Sequence, residues 1–347
     1  MSKMRRGRTD DSFFTDSHPS FAILLPMSLA MMGAYGEDGT ALILIARQEH
    51  SLATEINASR DLRVVAFSAN GEHLLSGGRD QNVQVWRVQD GRRVATIQAV
   101  GILCLAVSKN GKWMAGGTLW GEVFIWDAET HERVWKHRED TWPMEACMEA
   151  VDFSPDSTKL VSGSRNCTAT LWDLASGEKM WTFHHGPKEV IAAKFSSDGD
   201  RIATATYKGS VRVRDSSNGQ LLVDIPVMVP SLYNNGLRWF DNHIFVVYGS
   251  TIKQLDASTG SMVYEWSVPQ SNFNSCIAIP IHGKFMAYST NHSVTFWDTS
   301  THLQIGLVEH TEDICSIALS PDNSSLAVGG ENGTIIIKGL HHSIVST

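Results

Sequence analysis

Paired cysteines, long basic runs and unbroken apolar spans are all missing from this chain of 347 residues. Its five cysteines, Cys104, Cys147, Cys167, Cys276 and Cys315, are scattered, and none forms a CxxC pair. An odd, dispersed set suits a reducing compartment, cytoplasmic or nuclear, and thiols that pack as small hydrophobes. It offers no clustered ligands for structural zinc. The net charge is −8, and the basic cluster Lys3, Arg5, Arg6 and Arg8 is partly cancelled by Asp10 and Asp11. Nucleic-acid binders usually carry a basic face, so nucleic acid is not the expected partner. The most apolar stretch, residues 21–35, is broken by Pro26 and is shorter than the roughly 20 residues a membrane-spanning helix needs. The acidic DDSFFTD before it stands where a secretory signal needs a basic, unbroken approach. Catalytic signatures are missing too: there is no G-x-S-x-G, H-E-x-x-H or G-x-x-x-x-G-K-[ST]. The expectation is a non-enzyme with no cofactor and no metal. The adjacent pairs His184-His185 and His341-His342 would point to opposite faces of a strand and make no ready chelate.

What the chain does have is a repeat. Trp86-Arg87, Trp126-Asp127, Trp172-Asp173, Arg214-Asp215, Leu255-Asp256, Trp297-Asp298 and Lys338-Gly339 follow one another at intervals of 40, 46, 42, 41, 42 and 41 residues. Ahead of them run the turns ANGE, KNGK, PDST, SDGD and PDNS, then HLLSGG, KWMAGG, KLVSGS, RIATAT and SLAVGG. Next come the alternating segments NVQVW, EVFIW, TATLW, SVRVR and SVTFW, and a fourth segment such as RRVATI or EKMWTF. Short strands with Asn, Asp, Gly and Pro turns every 8–12 residues predict an all-β protein. Each unit reads as a four-stranded antiparallel meander that cannot bury both its faces alone. Stacking the units radially gives a propeller. Small residues such as Gly77-Gly78, Gly116-Gly117 and Ala203-Thr204-Ala205 suit places where neighbouring sheets crowd.

Over residues 50–340 the pattern resembles WD40 repeats, with Trp-Asp intact at 126–127, 172–173 and 297–298. The resemblance implies a buried tetrad of His, Ser or Thr, a turn Asp and the strand Trp. Ser76, Asp80 and Trp86 match three of its places, and Ser162, Asn166 and Trp172 match with Asn for Asp. Trp120, Lys208 and Gly249 fill the Asp place elsewhere, so several blades should depart from the family's pattern. His310 reads as a structural capping histidine. Trp135, Trp181 and Trp266 fall in fourth strands, where packing is expected and an outer patch is the other reading.

The blade count has two readings. Residues 1–19 read as a disordered tail, 20–58 as a degenerate repeat or a closing strand, and 59–340 as seven repeats. If SLATEI (51–56) completes the last unit, seven blades close end to end, the favoured count. If residues 20–58, with Asp38-Gly39-Thr40 and Leu44 in the repeat slots, form their own blade and HHSIVST ends the last, there are eight. The irregular head also raises the reading that the chain is a piece of a longer protein.

The family resemblance implies an interaction scaffold or substrate-recognition platform with protein or peptide partners; the alternative readings are an enzyme or small-ligand binder at the central channel, or an RNA-binding propeller. In such proteins the turn before the Asp place reaches the top rim. That slot reads Arg79, Leu119, Arg165, Tyr207, Tyr248, Thr290 and Glu331. Trp120 and Trp142, in connecting segments, join them as candidate anchors, because Trp, Tyr and Arg are enriched at binding hot spots.

Overall fold

The computed structural model describes residues 31–35, 41–45, 53–58, 61–79, 82–138, 146–207, 209–226, 236–248, 250–269, 275–280 and 282–340. Two compact units divide the chain, residues 1–50 and 51–347. In the first, Met31–Tyr35 pairs antiparallel with Ala41–Ile45 as a two-stranded sheet. The reading of residues 1–19 as a tail, the Asp38-Gly39-Thr40 slot and the HHSIVST segment all lie outside the described residues.

The second unit is a ring of seven four-stranded antiparallel sheets. Strands are named a to d within each blade. Blade 1 runs Leu62–Phe67, His73–Gly78, Val83–Arg87 and Arg93–Ile97. Blade 2 runs Ile102–Val107, Trp113–Thr118, Glu122–Asp127 and Arg133–Arg138. Blade 3 runs Met148–Phe153, Lys159–Ser164, Thr168–Asp173 and Lys179–His184. Blade 4 runs Val190–Phe195, Arg201–Thr206, Ser210–Asp215 and Leu221–Pro226. Blade 5 runs Leu237–Phe240, His243–Tyr248, Thr251–Asp256 and Met262–Ser267. Blade 6 runs Ile277–Ala278, Phe285–Ser289, Ser293–Asp298 and Gln304–Glu309. Blade 7 takes strands a to c from Ile314–Leu319, Ser325–Gly330 and Thr334–Gly339, and strand d from the other end of the chain, Thr54–Asn57. Ile56 sits opposite Ile335 there and is buried, so the ring is closed by an apolar pair as well as by ladder bonds.

Burial falls from the inside outwards. Strands b are almost wholly buried, whereas strands d are mostly exposed. The core is split among the seams between blades, each filled by side chains of two neighbours. Phe153 of blade 3 packs with Ala115 and Ile125 of blade 2, and Phe195 of blade 4 with Val161 and Leu171 of blade 3. Crowding at the seams explains the small residues of strand b. A Cβ on Gly77 would stand 2.6 Å from Ile102 Cγ2, and one on Gly117 would stand 2.6 Å from Cys104 Sγ and Met148 Cβ.

The repeat slot lies at the end of strand c. In blades 1 to 6 the c–d register shifts at this residue, a bulge that begins the c–d turn. The acid that follows caps the turn: Asp127, Asp173, Asp215, Asp256 and Asp298 accept the backbone N–H groups of Thr130, Ser176, Asn218, Thr259 and Thr301. The Trp bonds back into the blade. Trp86 Nε1 donates to Ser76 Oγ at 2.8 Å, and Trp172 Nε1 to Ser162 Oγ at 2.9 Å. Blades 2, 4 and 6 differ. Gly116 makes room for Trp126, whose ring would lie 2.8 Å from an added Cβ. Thr204 Oγ1 meets His185 Nε2 at 3.3 Å, and Trp297 Nε1 turns to Thr295 Oγ1 on its own strand. Of the pair His184-His185, His185 is buried and His184 exposed, as alternation requires. His310 Nδ1 accepts the Glu312 N–H.

Candidate functional site

The seven a strands frame a central channel, a cavity of about 260 Å³ walled by small apolar residues such as Val64, Ala66, Ala150, Ala278 and Ala318. Its charges are tied into the wall. Lys194 Nζ lies 2.7 Å from Asp152 Oδ1, and Arg238 Nη1 donates to Leu237 O. Burial raises all five thiols above their usual pKa, which leaves no activated cysteine. Among the described residues no group of three or more His, Cys, Asp or Glu could hold a metal ion, and no helix is long and apolar enough to cross a membrane.

The b–c turns come to one end of the ring, beside the starts of the a strands. A shared bond puts them there. The N–H groups of Arg79, Leu119, Arg165, Tyr207 and Glu331 donate to the carbonyls of Asp61, Gly101, Cys147, Glu189 and Asp313, each just ahead of its blade's a strand. Blades 5 and 6 break the count. Their b–c connection is one residue shorter than that of blade 3, and the matching bonds come from Val247 and Ser289. Counting back from the repeat slot therefore lands on the last residue of strand b in blade 5, Tyr248, and on the first residue after it in blade 6, Thr290. Tyr248 is 3% exposed and packs in the seam between blades 4 and 5, so it is no rim contact. Thr290 spends its hydroxyl on the tight turn, where Oγ1 accepts the Ser293 N–H. Asp80, Trp142, Lys208 and Gly249 lie outside the described residues.

The rest make a graded surface. Arg79 is exposed, Trp120 is 44% exposed, Arg165 is exposed and Tyr207 is 39% exposed, on the turns of blades 1, 2, 3 and 4 in succession. Trp120 lies over Gly101, at whose Cβ position its Nε1 would be 3.1 Å away. Leu119 is half-buried and its carbonyl accepts the Cys147 thiol of blade 3, which couples two neighbouring turns. Glu331 faces Arg63 of blade 1 at 3.6 Å. Arg165 is fixed by Glu149, whose carboxylate meets Arg165 Nε at 2.5 Å and whose side chain is 0% exposed; Glu189 stands 3.9 Å away. A carboxylate this deeply buried needs its guanidinium. The sequence reading passed over Glu149, although an acid in the otherwise inward-facing MEAVDF was its signal.

Comparison with known proteins agrees with this architecture. The family model described as WD domain, G-beta repeat matches residues 51–87, 91–127, 145–173 and 301–337. A second, described as Outer membrane protein assembly factor BamB, matches 165–301. That span holds blades 4 and 5, where the repeat slot carries Arg214 and Leu255 in place of Trp. Autophagy-related protein 16 of Arabidopsis thaliana is 27% identical over 320 residues, 86% of this chain and 60% of its own length. WD repeat-containing protein 18 of Danio rerio is 23% identical over 296 residues, 76% of this chain and 65% of its own. Eukaryotic translation initiation factor 3 subunit I of Sclerotinia sclerotiorum is 22% identical over 314 residues, covering 80% and 90%. The chain spans less than two thirds of the length of the first two of these relatives.

Proposed function

We propose that this seven-bladed WD40-repeat β-propeller is a non-catalytic interaction platform that holds a protein or peptide partner on the rim of its b–c turns. The observation that carries the reading is the run of exposed Arg79, Trp120, Arg165 and Tyr207 on four consecutive blades at one end of the ring. Aromatic and Arg side chains combine contact area with hydrogen bonding and dominate protein interfaces. Their turns are clipped to the a strands, so little ordering is needed on binding. A role within an assembly accords with a relative named as a subunit of a translation initiation factor. Five free cysteines accord with a cytoplasmic or nuclear setting.

The test is affinity capture with the intact chain, the bound proteins being identified and then titrated against variants. Trp120→Ala combined with Tyr207→Ala should weaken the captured partners by about 30-fold, the equivalent of about 2 kcal/mol, at an unchanged melting temperature. Arg165→Ala should lower the melting temperature as well, because it removes the guanidinium paired with the buried Glu149 carboxylate, and Glu149→Gln should restore it. Partners held at unchanged strength by the double variant would overturn the rim assignment.

A further inference from the structure

At the opposite end of the ring, the a–b turns of blades 1 and 2 frame a second cavity, of about 540 Å³. Its size lies within the range of roughly 300–1,000 Å³ common to small-ligand sites. Its origin can be read by comparing the repeats with one another. Strand a ends in Phe67, Phe153 and Phe195 in blades 1, 3 and 4, and each ring packs on the preceding blade. Blade 2 has Val107 at this place. The a–b turns show a second reduction. Pro155 and Pro321 abut Gly199 and Gly71 of the following blade, whereas the residue facing Gly111 is Ala69. Both truncations fall on the seam between blades 1 and 2, and together they open it.

The floor of this cavity is apolar, with Leu75, Val85 and Met114. Lys109, His73 and His131 stand on its lining, with exposed Glu129 as the acid among them. His131 occupies the left-handed position of the c–d turn, at φ 60°. The same position carries Gly91, Gly177, Gly219 and Gly260 in blades 1, 3, 4 and 5. A side chain there costs backbone strain. Blade 6 also has a histidine, His302, and its ring stacks on Tyr264 at 3.5 Å. His131 instead faces the cavity. Burial, then the neighbouring His73, holds its pKa below the usual histidine value, with Asp127 opposing.

We propose that the cavity between blades 1 and 2 binds an aromatic ring carrying a short anionic arm. The ring fills the volume that phenylalanine fills in the sister blades, and the anion lies against Lys109 and the two imidazoles. A free aromatic carboxylate and a Phe-acid dipeptide within a peptide share this chemistry.

The experiment titrates the full chain with 3-phenylpropionate, with its neutral amide, and with N-acetyl-Phe-Asp-amide. Binding is read from histidine-ring NMR shifts and from the rise in melting temperature. Saturable binding of the carboxylate, at least about tenfold tighter than the amide, is expected. Val107→Phe and His131→Gly each install the sister-blade residue. Both should keep or raise the melting temperature and weaken binding by about tenfold or more. Tighter binding of the dipeptide identifies a peptide as the source, and equal or weaker binding a free acid. No saturable binding of either anionic probe, or unchanged binding in Val107→Phe, overturns the proposal. If the added ring unfolds that variant, His131→Gly decides, with unchanged binding overturning it.

Discussion

Trp172 condenses the residue-scale physics of a blade. Its indole is buried, donates to Ser162, and packs against Trp135 and His137 with ring centroids 5.7 and 4.7 Å away, while Lys179 Nζ lies 5.3 Å from its centroid. Removal leaves a cavity at the seam of blades 2 and 3 and an unpaired hydroxyl. Trp172→Ala should cost about 3–5 kcal/mol, read as a lower urea midpoint at an unchanged slope. A loss below about 1 kcal/mol would mean that the neighbouring rings collapse into the space. The tryptophans of strand d show how register places a side chain. Trp266 pairs with Ile252, the place that Ile97, Phe183 and Ile225 fill in blades 1, 3 and 4, and all four are buried. Trp135 and Trp181 pair with Ile125 and Leu171, two residues nearer the repeat slot, and are half-buried and exposed.

The c–d turn is the element through which acid should act. Hydrogen bonds within the turn hold Asp127, Asp173, Asp215 and Asp256 below the usual carboxylate range. At Asp298 the Thr301 N–H leads, with Ser300 and the Thr301 hydroxyl adding to it, and the pKa falls from 3.8 to about 2. Since the folded value lies below the unfolded one, this stability is complete above pH 4 or so and disappears as pH falls towards 2. His185 acts earlier. Burial, then Arg212 and Arg214, lowers its pKa from 6.5 to about 4, so the neutral ring stabilises the fold above pH 6.5 and that contribution drains away as pH falls to 4. Urea midpoints should therefore drop in two limbs, between pH 7 and 4 and again below 4. His185→Gln should flatten the upper limb, and Asp298→Asn should soften the lower one. An upper limb of undiminished steepness in His185→Gln would remove His185 as its source.

For the whole molecule, the two ends of the propeller meet in blade 7. The matched repeats 51–87, 91–127 and 301–337 each begin at a d strand and end with strand c of the following blade. Sequence repeat and structural blade are thus out of phase, and strand d of one repeat always completes its neighbour. At the closure that strand is Thr54–Asn57. Removing residues 1–50 keeps this strand and should leave a cooperative monomer. Removing 1–58 deletes it and bares the edge of Thr334–Gly339, which invites edge-to-edge association. Light scattering and thermal unfolding of the two truncations should differ sharply. A monomeric 1–58 deletion with native-like unfolding would overturn closure as the source of stability.

The sequence by itself determined the all-β class, the repeat period, the strand order within a unit and the turn chemistry, because these depend on alternation and on neighbours a few residues apart. It left seven and eight blades both open. Pairing Thr54–Asn57 with Thr334–Gly339 joins segments nearly the whole chain apart, and the tertiary structure alone decides that. The exposure of Arg79, Trp120, Arg165 and Tyr207 on the turns of blades 1 to 4 was legible, whereas in blade 5 a turn one residue shorter takes Tyr248 inside. The buried Glu149 beneath Arg165, and the space left by Val107 and Ala69 at one seam, are properties of contacts between blades. Local pattern specifies each sheet, whereas what stands against its two faces is known only once the ring is closed.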